Sequence, residues 1–91
     1  MEKKLIDFKE DILNNIEILR YNYERSIEAN MKDPESALYN KIENIIERTN
    51  SANSYRALEK TISVAKTIEM QIDNWLISIG QSTISLSWPS F

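Results

Sequence analysis

The sequence predicts an all-α protein: a three-helix antiparallel bundle with a long, a short and a long helix, followed by a short extended C-terminal tail. Three stretches repeat apolar residues every three or four positions, the period of an amphipathic helix. Polar segments and the single glycine separate or end these stretches. Hydrophobic residues make up 42% of the 91 and charged residues 27%, which is ordinary for a globular protein. We expect one helical domain over residues 1–80 and a tail over 81–91.

Helix 1 is predicted over residues 3–30. Its apolar residues step by three or four and form one stripe along the helix. The stripe consists of Leu5, Phe8, Ile12, Ile16, Leu19, Tyr23 and Ile27. Further apolar residues flank the stripe on both sides, at Ile6, Leu13 and Ile18. Because this apolar face is wide, we expect helix 1 to contact two neighbouring helices.

Helix 2 is predicted over residues 34–49, after a break in the helical pattern. Asn30 tolerates the left-handed conformation that closes a helix, and Pro34 disfavours a helical residue before it. The carboxylate of Asp33 can accept the free amide N–H groups of the new helix, and proline suits its first position. The residues predicted to face inward are Leu38, Ile42, Ile45, Ile46 and Thr49.

Helix 3 is predicted over residues 54–79. The polar cluster 50–54 offers several possible N-terminal caps, and Gly80 is expected to end the helix because glycine adopts positive φ freely. The predicted inward stripe consists of Leu58, Ile62, Ala65, Ile68, Ile72, Trp75 and Ile79, with Val64 and Leu76 at its margins.

The tail is predicted to be extended and docked onto other residues. Its apolar side chains alternate with serines up to Pro89, which is the two-residue period of a strand with one buried face. No charged residue occurs from Asn74 to the end of the sequence, which is unusual for a segment surrounded by water. The predicted contacts of the tail or of an oligomer are Trp75, Ile84, Leu86, Trp88 and Phe91.

The helix lengths favour a homodimer or a higher oligomer. Helices 1 and 3 would each span roughly 40 Å, whereas helix 2 would reach only about 24 Å. A symmetric second copy would cover the apolar surface that the short helix leaves open. In the alternative arrangement, helix 1 bends or helix 3 folds back, and the tail covers this surface within one chain.

The residue types present disfavour an enzyme. The sequence has no cysteine and no histidine, so it lacks thiolate nucleophiles, imidazole bases and the usual zinc ligands. Its one glycine cannot form a glycine-rich phosphate loop. Carboxylates recur one helical turn apart, but we interpret them as a solvated face. We therefore predict no catalytic residue, no metal site and no cofactor.

The charge pattern also disfavours nucleic acid and membrane as partners. The net charge is −3, and lysine and arginine are spread along the chain instead of forming a basic stripe. No stretch is apolar enough to span a bilayer, and no signal peptide is recognisable. The expected location is the cytoplasm. Abundant isoleucine and asparagine are typical of an A/T-rich genome, many mobile elements included.

Two classes of function remain. The favoured hypothesis is a regulatory interaction protein that binds a larger protein, as inhibitors, immunity proteins, anti-defence proteins, chaperones and adaptors do. An acidic helical surface can block a basic one through complementary charge. The acids predicted to take part are Glu10, Glu17, Glu43 and Glu47.

The alternative hypothesis is an oligomeric sensor or sink for a small anionic ligand such as a nucleotide. Aromatic rings beside guanidinium groups can stack on a base and neutralise a phosphate. The candidate residues are Tyr21, Arg25, Tyr55 and Arg56. Arg20 and Arg25 also have acids nearby in the sequence, which favours pairing within the helix instead. A third, weaker hypothesis is a structural subunit whose tail joins a neighbour by strand or helix addition.

Overall fold

The fold is all-helical, with three helices that pack against one another. The computed structural model describes residues 4–90. Helix α1 spans Leu5–Glu28, α2 spans Ala37–Ser51 and α3 spans Tyr55–Ser78. Each helix contacts both of the others, and residues 4–90 contain no β-strand. The predicted all-α class and the long, short and long order of the helices are confirmed.

The connection between α1 and α2 is more elaborate than predicted. Asn30 has a φ of 70° and closes α1, as expected. Pro34, however, opens a 3₁₀ turn that ends at Ser36, and α2 begins three residues later than predicted. The delay follows from the positive φ angles of Glu35 (55°) and Ser36 (56°), which an α-helix does not contain.

Asp33 caps α2 across this turn. Its carboxylate accepts hydrogen bonds from the backbone N–H groups of Leu38 (2.9 Å) and Tyr39 (3.0 Å). It also accepts one from the hydroxyl of Tyr23 on α1, at 2.8 Å. The predicted cap is therefore present, but it also ties the start of α2 to α1.

The boundaries of α3 follow the predicted signals. The side chain of Ser54 accepts a hydrogen bond from the N–H of Ala57 at 3.2 Å and caps the first turn. At the other end, Gly80 has a φ of 76°, and the N–H of Gln81 reaches the carbonyl of Leu76 at 2.9 Å. This is the closing pattern that glycine allows with least strain.

The core lies between the three helices and matches most of the predicted stripes. Its buried apolar residues are Ile12, Ile16, Leu19, Tyr23, Leu38, Ile42, Ile45, Ala52, Leu58, Ile62, Ala65, Ile68, Ile72 and Leu76. Leu76, predicted at a margin, is fully buried, whereas Trp75 and Ile79 are only partly buried and Ile27 is exposed. Near the end of α3, the buried residue is therefore Leu76 instead of the predicted Trp75. Near the end of α1, the predicted stripe residue Ile27 is exposed to solvent.

Candidate functional site

The tail lies against the helices of its own chain. We call residues 81–90 the docked tail; they contain no helix, turn, bend or strand. Leu86 and Trp88 are partly buried and pack against the core, whereas Ile84 is 40% exposed. The tail therefore supplies cover within its own chain, which is one part of the single-chain alternative. Phe91, which was predicted to join these contacts, lies outside the described residues.

Asn15 on α1 holds the middle of the docked tail by its backbone. Its Nδ2 donates to the carbonyl oxygen of Ser87 at 2.9 Å, and the N–H of Ser87 donates to its Oδ1 at 3.3 Å. One carboxamide thus pairs with both polar groups of a single residue, as a neighbouring β-strand would. The contact reads the backbone of the tail and is indifferent to the side chain at position 87.

Arg25 near the end of α1 holds the beginning of the docked tail. Its Nη2 donates to the side-chain Oε1 of Gln81 at 3.0 Å and to the carbonyl oxygen of Ser82 at 2.9 Å. Its Nη1 donates to Oδ1 of Asn22, at 3.1 Å. Asn22 is fully buried, and its Nδ2 has no hydrogen-bond partner among residues 4–90. The guanidinium therefore joins the tail to a buried polar group of the core.

Trp88 is held from the other side, by α3. Its Nε1 donates to Oε1 of Glu69 at 2.9 Å. Asp73 lies one turn further along α3, and its Oδ1 is buried without a hydrogen-bond partner in the described part of the chain. Burial, together with the negative charge of Glu69, raises the pKa of the Asp73 carboxyl above its ordinary value. Two carboxylates therefore lie beside the tail, and one of them is unfavourably placed as an anion.

An open hollow of about 720 Å³ runs along the docked tail on its α3 side. It is lined by Lys66, Glu69, Met70, Asp73, Asn74, Leu86, Ser87 and Trp88. A smaller hollow of about 330 Å³ lies on the α1 side, next to Asn15 and Pro89. The docked tail is therefore a ridge with accessible space along both flanks.

Four exposed glutamates form a line along α1, which we call the glutamate stripe. They are Glu10, Glu17, Glu24 and Glu28. Their spacing of seven, seven and four residues puts them on one face of the helix. Glu10 and Glu17 are among the acids predicted to take part in partner binding, whereas Glu24 and Glu28 were not predicted to do so.

The two predicted acids of α2 have different surroundings. Glu43 forms an ion pair with Arg20 of α1, in which both side chains are partly exposed, whereas Glu47 is exposed. Arg20 and Arg25 thus reach out of their own helix, to α2 and to the docked tail. Of the four acids predicted for a partner surface, Glu10, Glu17 and Glu47 are exposed, whereas Glu43 is paired within the chain.

The residues proposed for an anionic ligand fall into two separate pairs. Arg25 lies over the ring of Tyr21, with 5.8 Å between its Cζ and the ring centroid. Tyr55 instead contacts Phe8 edge to face near the beginning of α1, at a centroid distance of 5.7 Å, and Arg56 follows it. Phe8 and Tyr21 are separated by roughly 20 Å along α1. A single chain therefore does not bring the four together, and a shared site would need a second copy.

Asn15, Asn22, Glu69 and Asp73 were missed as functional candidates. An asparagine within a predicted helix is a weak signal of a functional contact. Its low helix propensity does not show what its side chain binds. Glu69 and Asp73 were recognised only as one of several carboxylate pairs a turn apart. Nothing in the spacing of residues shows that a segment from the end of the chain lies on them.

No group of three or more acids in residues 4–90 is close enough to hold a metal ion. None of the three helices is long and apolar enough to cross a membrane. The chain was also compared with known proteins, and no protein-family model, curated protein or solved structure matches it significantly.

Proposed function

We propose that this chain is a small regulatory interaction protein that binds a larger protein partner through the glutamate stripe. It would act by occupying a basic surface, as an inhibitor, immunity protein, anti-defence protein, chaperone or adaptor does. The expected compartment is the cytoplasm. The observation that carries the proposal is the line of four exposed carboxylates on one face of α1.

The length of the stripe suits a protein surface better than a small ligand. From Glu10 to Glu28 it spans 18 residues, or roughly 27 Å at 1.5 Å per residue. Aligned like charges raise the local potential, steer a basic partner into contact and disfavour acidic competitors. Glu47 on α2 is a further exposed acid of the predicted partner surface. The proposal therefore predicts a partner with a basic groove or ridge of similar length.

The bundle supports the stripe if its helices alternate in direction, which we also propose. Lys9 near the start of α1 donates to the carbonyl of Asn50 near the end of α2, at 3.2 Å. The ring contact between Phe8 and Tyr55 brings the starts of α1 and α3 together. These contacts favour an antiparallel α2 between two parallel long helices. The core would then hold one face of α1, and the stripe would remain accessible.

The test begins with the complex isolated gently from the host and its native mass. Once a partner is identified, its affinity is measured for the wild type and for the double variant Glu17→Lys, Glu24→Lys at two salt concentrations. We expect binding to weaken by at least about tenfold, because two attractive contacts become repulsive. The salt dependence should also decrease, because screening acts on exposed charges.

The matched control is Glu35→Lys combined with Glu59→Lys. These acids are also exposed but lie in the 3₁₀ turn and on α3, away from the stripe, and the change in net charge is the same. We expect this variant to bind almost as the wild type does. Equal weakening in both double variants would point to net charge alone and contradict the proposed surface. Unchanged binding in the stripe variant would contradict it as well.

A further inference from the structure

A small hollow, which we call the basic hollow, lies between the end of α2 and the beginning of α3. Its volume is about 250 Å³. Arg48 of α2 and Lys60 of α3 line it, together with the polar residues Ser51 and Asn53. Both cations are exposed, and neither forms an ion pair or a side-chain hydrogen bond among residues 4–90. The basic hollow therefore brings together two unpaired positive charges from two helices.

Two further cations continue the positive surface on the same helices. Lys41 precedes Arg48 by seven residues and so lies on the same face of α2, and Arg56 precedes Lys60 by four residues on α3. Both are exposed, and they too lack an ion pair in the described part of the chain. Like charges one turn apart on a helix repel each other. A chain with a net charge of −3 thus keeps four uncompensated cations on two adjoining helices.

The acids closest in sequence to these cations do not line the basic hollow. Glu47 directly precedes Arg48, which places its side chain about 100° further around α2. Glu59 directly precedes Lys60 but lines a different hollow, beside the docked tail. No acid is among the described residues that line the basic hollow. An anion from solution can therefore supply the counter-charge that the described residues do not.

Helix stability accounts for only one of the four cations. Arg48 lies in the last turn of α2, where a positive charge offsets the negative end of the helix dipole. Arg56 instead lies in the first turn of α3, where the dipole favours an acid, and that turn contains no acid. A bound anion explains this placement, because it would compensate cations that the helices themselves do not favour.

We propose that the basic hollow binds a phosphate group between Arg48 and Lys60. An arginine can donate two parallel hydrogen bonds to phosphate oxygens, and a lysine adds a mobile point charge. Ser51 and Asn53 supply neutral donors beside them. A phosphate monoester carries close to two negative charges at pH 7, which suits several cations better than the single charge of a carboxylate does.

The size of the basic hollow limits what it encloses. Pockets for whole drug-sized molecules have volumes of about 300 to 1,000 Å³. At about 250 Å³ the basic hollow holds the phosphate group itself, and the remainder of a larger ligand lies outside it. The phosphate is therefore either free inorganic phosphate or the end of a small phosphate ester.

The experiment titrates the full chain with sodium phosphate while sodium chloride keeps the ionic strength constant. Backbone amide resonances are followed by NMR. We expect saturable shifts at Ser51, Asn53 and Lys60, with a Kd of about 1 mM or lower. The same titration with glycerol phosphate separates the two sources of the phosphate. Tighter binding of glycerol phosphate would assign the site to a phosphate ester, and equal or weaker binding would assign it to the free ion.

Two double variants with the same change in net charge locate the binding. Arg48→Gln with Lys60→Gln should weaken binding at least about tenfold, because both charge-assisted contacts are lost. Lys32→Gln with Lys66→Gln removes two exposed cations elsewhere and should weaken it by less than about threefold. Circular dichroism checks that both variants keep their helices. Equal weakening in the two variants would overturn the proposal, since net charge alone would then explain the binding. Wild-type shifts that do not saturate by about 50 mM phosphate would overturn it too.

Discussion

The turn before α2 and the docked tail are both non-helical segments that side chains of α1 hold in place, but they are held by different means. Tyr23 binds the carboxylate of Asp33 at 2.8 Å, and the same carboxylate accepts two backbone amides of α2. Asn15 binds Ser87 with a neutral carboxamide in exposed surroundings. The first contact joins residues ten apart in sequence, and the second joins residues 72 apart.

This difference predicts how much each contact contributes to stability. A hydrogen bond to an ionised group contributes more than one between neutral groups, and burial increases the loss when one partner is removed. The Asp33 contact also fixes the beginning of a helix that supplies four buried residues, whereas the docked tail contains no helix. We therefore expect a large, global effect at Asp33 and a small, local one at Asn15.

The largest effect is expected from Asp33→Ala. The substitution removes the acceptor for the N–H groups of Leu38 and Tyr39 and leaves the Tyr23 hydroxyl without its partner. The free energy of unfolding should decrease by about 2 kcal/mol. In a domain of this size, the melting temperature would decrease by roughly 10 °C, as measured by circular dichroism.

Ser54→Ala is the matched control, since Ser54 caps α3 through one hydrogen bond to Ala57. A loss of about 1 kcal/mol is expected there.

The stability that Asp33 contributes also depends on pH. Burial alone would raise the pKa of Asp33, but hydrogen bonds from Leu38, Tyr39 and Tyr23 outweigh it and leave the pKa below its ordinary value. Its contribution should be intact above about pH 4 and lost as the pH falls further. Equal losses in Asp33→Ala and Ser54→Ala at pH 7 would contradict this interpretation.

The next effect concerns the other partner, Tyr23, at high pH. Burial, the hydrogen bond to the Asp33 carboxylate and its negative charge together raise the pKa of Tyr23 to about 12. Because the unfolded chain ionises near pH 10, ionisation favours unfolding. The stabilising contribution should be intact below pH 10 and lost as the pH rises towards 12.

Tyr23→Phe should destabilise the protein by about 1 kcal/mol at pH 7 and reduce the loss of stability between pH 10 and 12. Urea unfolding across this pH range measures both effects. The control is Tyr39→Phe, whose exposed ring lies 6.4 Å from that of Tyr23. If the loss of stability between pH 10 and 12 were the same in Tyr23→Phe as in the wild type, an ionisable group other than Tyr23 would be its cause.

The third effect is expected from Asn15→Ala and should be local. Global stability should decrease by only about 0.5 kcal/mol, because the two lost hydrogen bonds to the tail are neutral and exposed. The third lost bond, from Asn15 to the carbonyl of Asp11 at 3.0 Å, is also neutral and lies within α1. The tail itself should loosen: the Ser87 amide should exchange faster, and the fluorescence of Trp88 should shift to longer wavelength in a Trp75→Phe background. Asn14→Ala, at the exposed neighbouring position, should change neither signal. A loss of 2 kcal/mol in Asn15→Ala would show that the tail belongs to the cooperative core.

The fold was largely predictable because its signals are local. Helical periodicity located three helices, and Asn30, Asp33 and Gly80 marked boundaries through their backbone preferences. The start of α2 was predicted too early because proline is compatible with the first turn of either an α- or a 3₁₀ helix. The residue types did not indicate the positive φ angles of Glu35 and Ser36, which follow Asp33, the residue that contacts Tyr23 of α1.

The candidate sites were predictable only in part, since they depend on which distant residues meet. Alternation identified Leu86 and Trp88 as the partly buried side of the tail, but gave no information about Asn15 or Glu69. For the glutamate stripe the period was visible, but nearby arginines suggested pairing within α1. Arg20 instead reaches Glu43 on another helix. The three-dimensional arrangement, and not the local pattern, decides which acids remain available to a partner.

The smallest effect is expected at the ion pair between Arg20 and Glu43. This pair tests whether solvent exposure explains why Asp33 should contribute more to stability than Asn15. The side chains of Arg20 and Glu43 are 40% and 42% exposed, so water and salt screen their attraction. Glu43→Gln should lower stability by about 0.3 kcal/mol in dilute buffer and by almost nothing in 1 M salt. Glu47→Gln, at an exposed position of the same helix, serves as the control in chemical denaturation. If Glu43→Gln instead removed 2 kcal/mol, charge would outweigh exposure in this protein, and the weak effect predicted for Asn15 would follow from its neutrality alone.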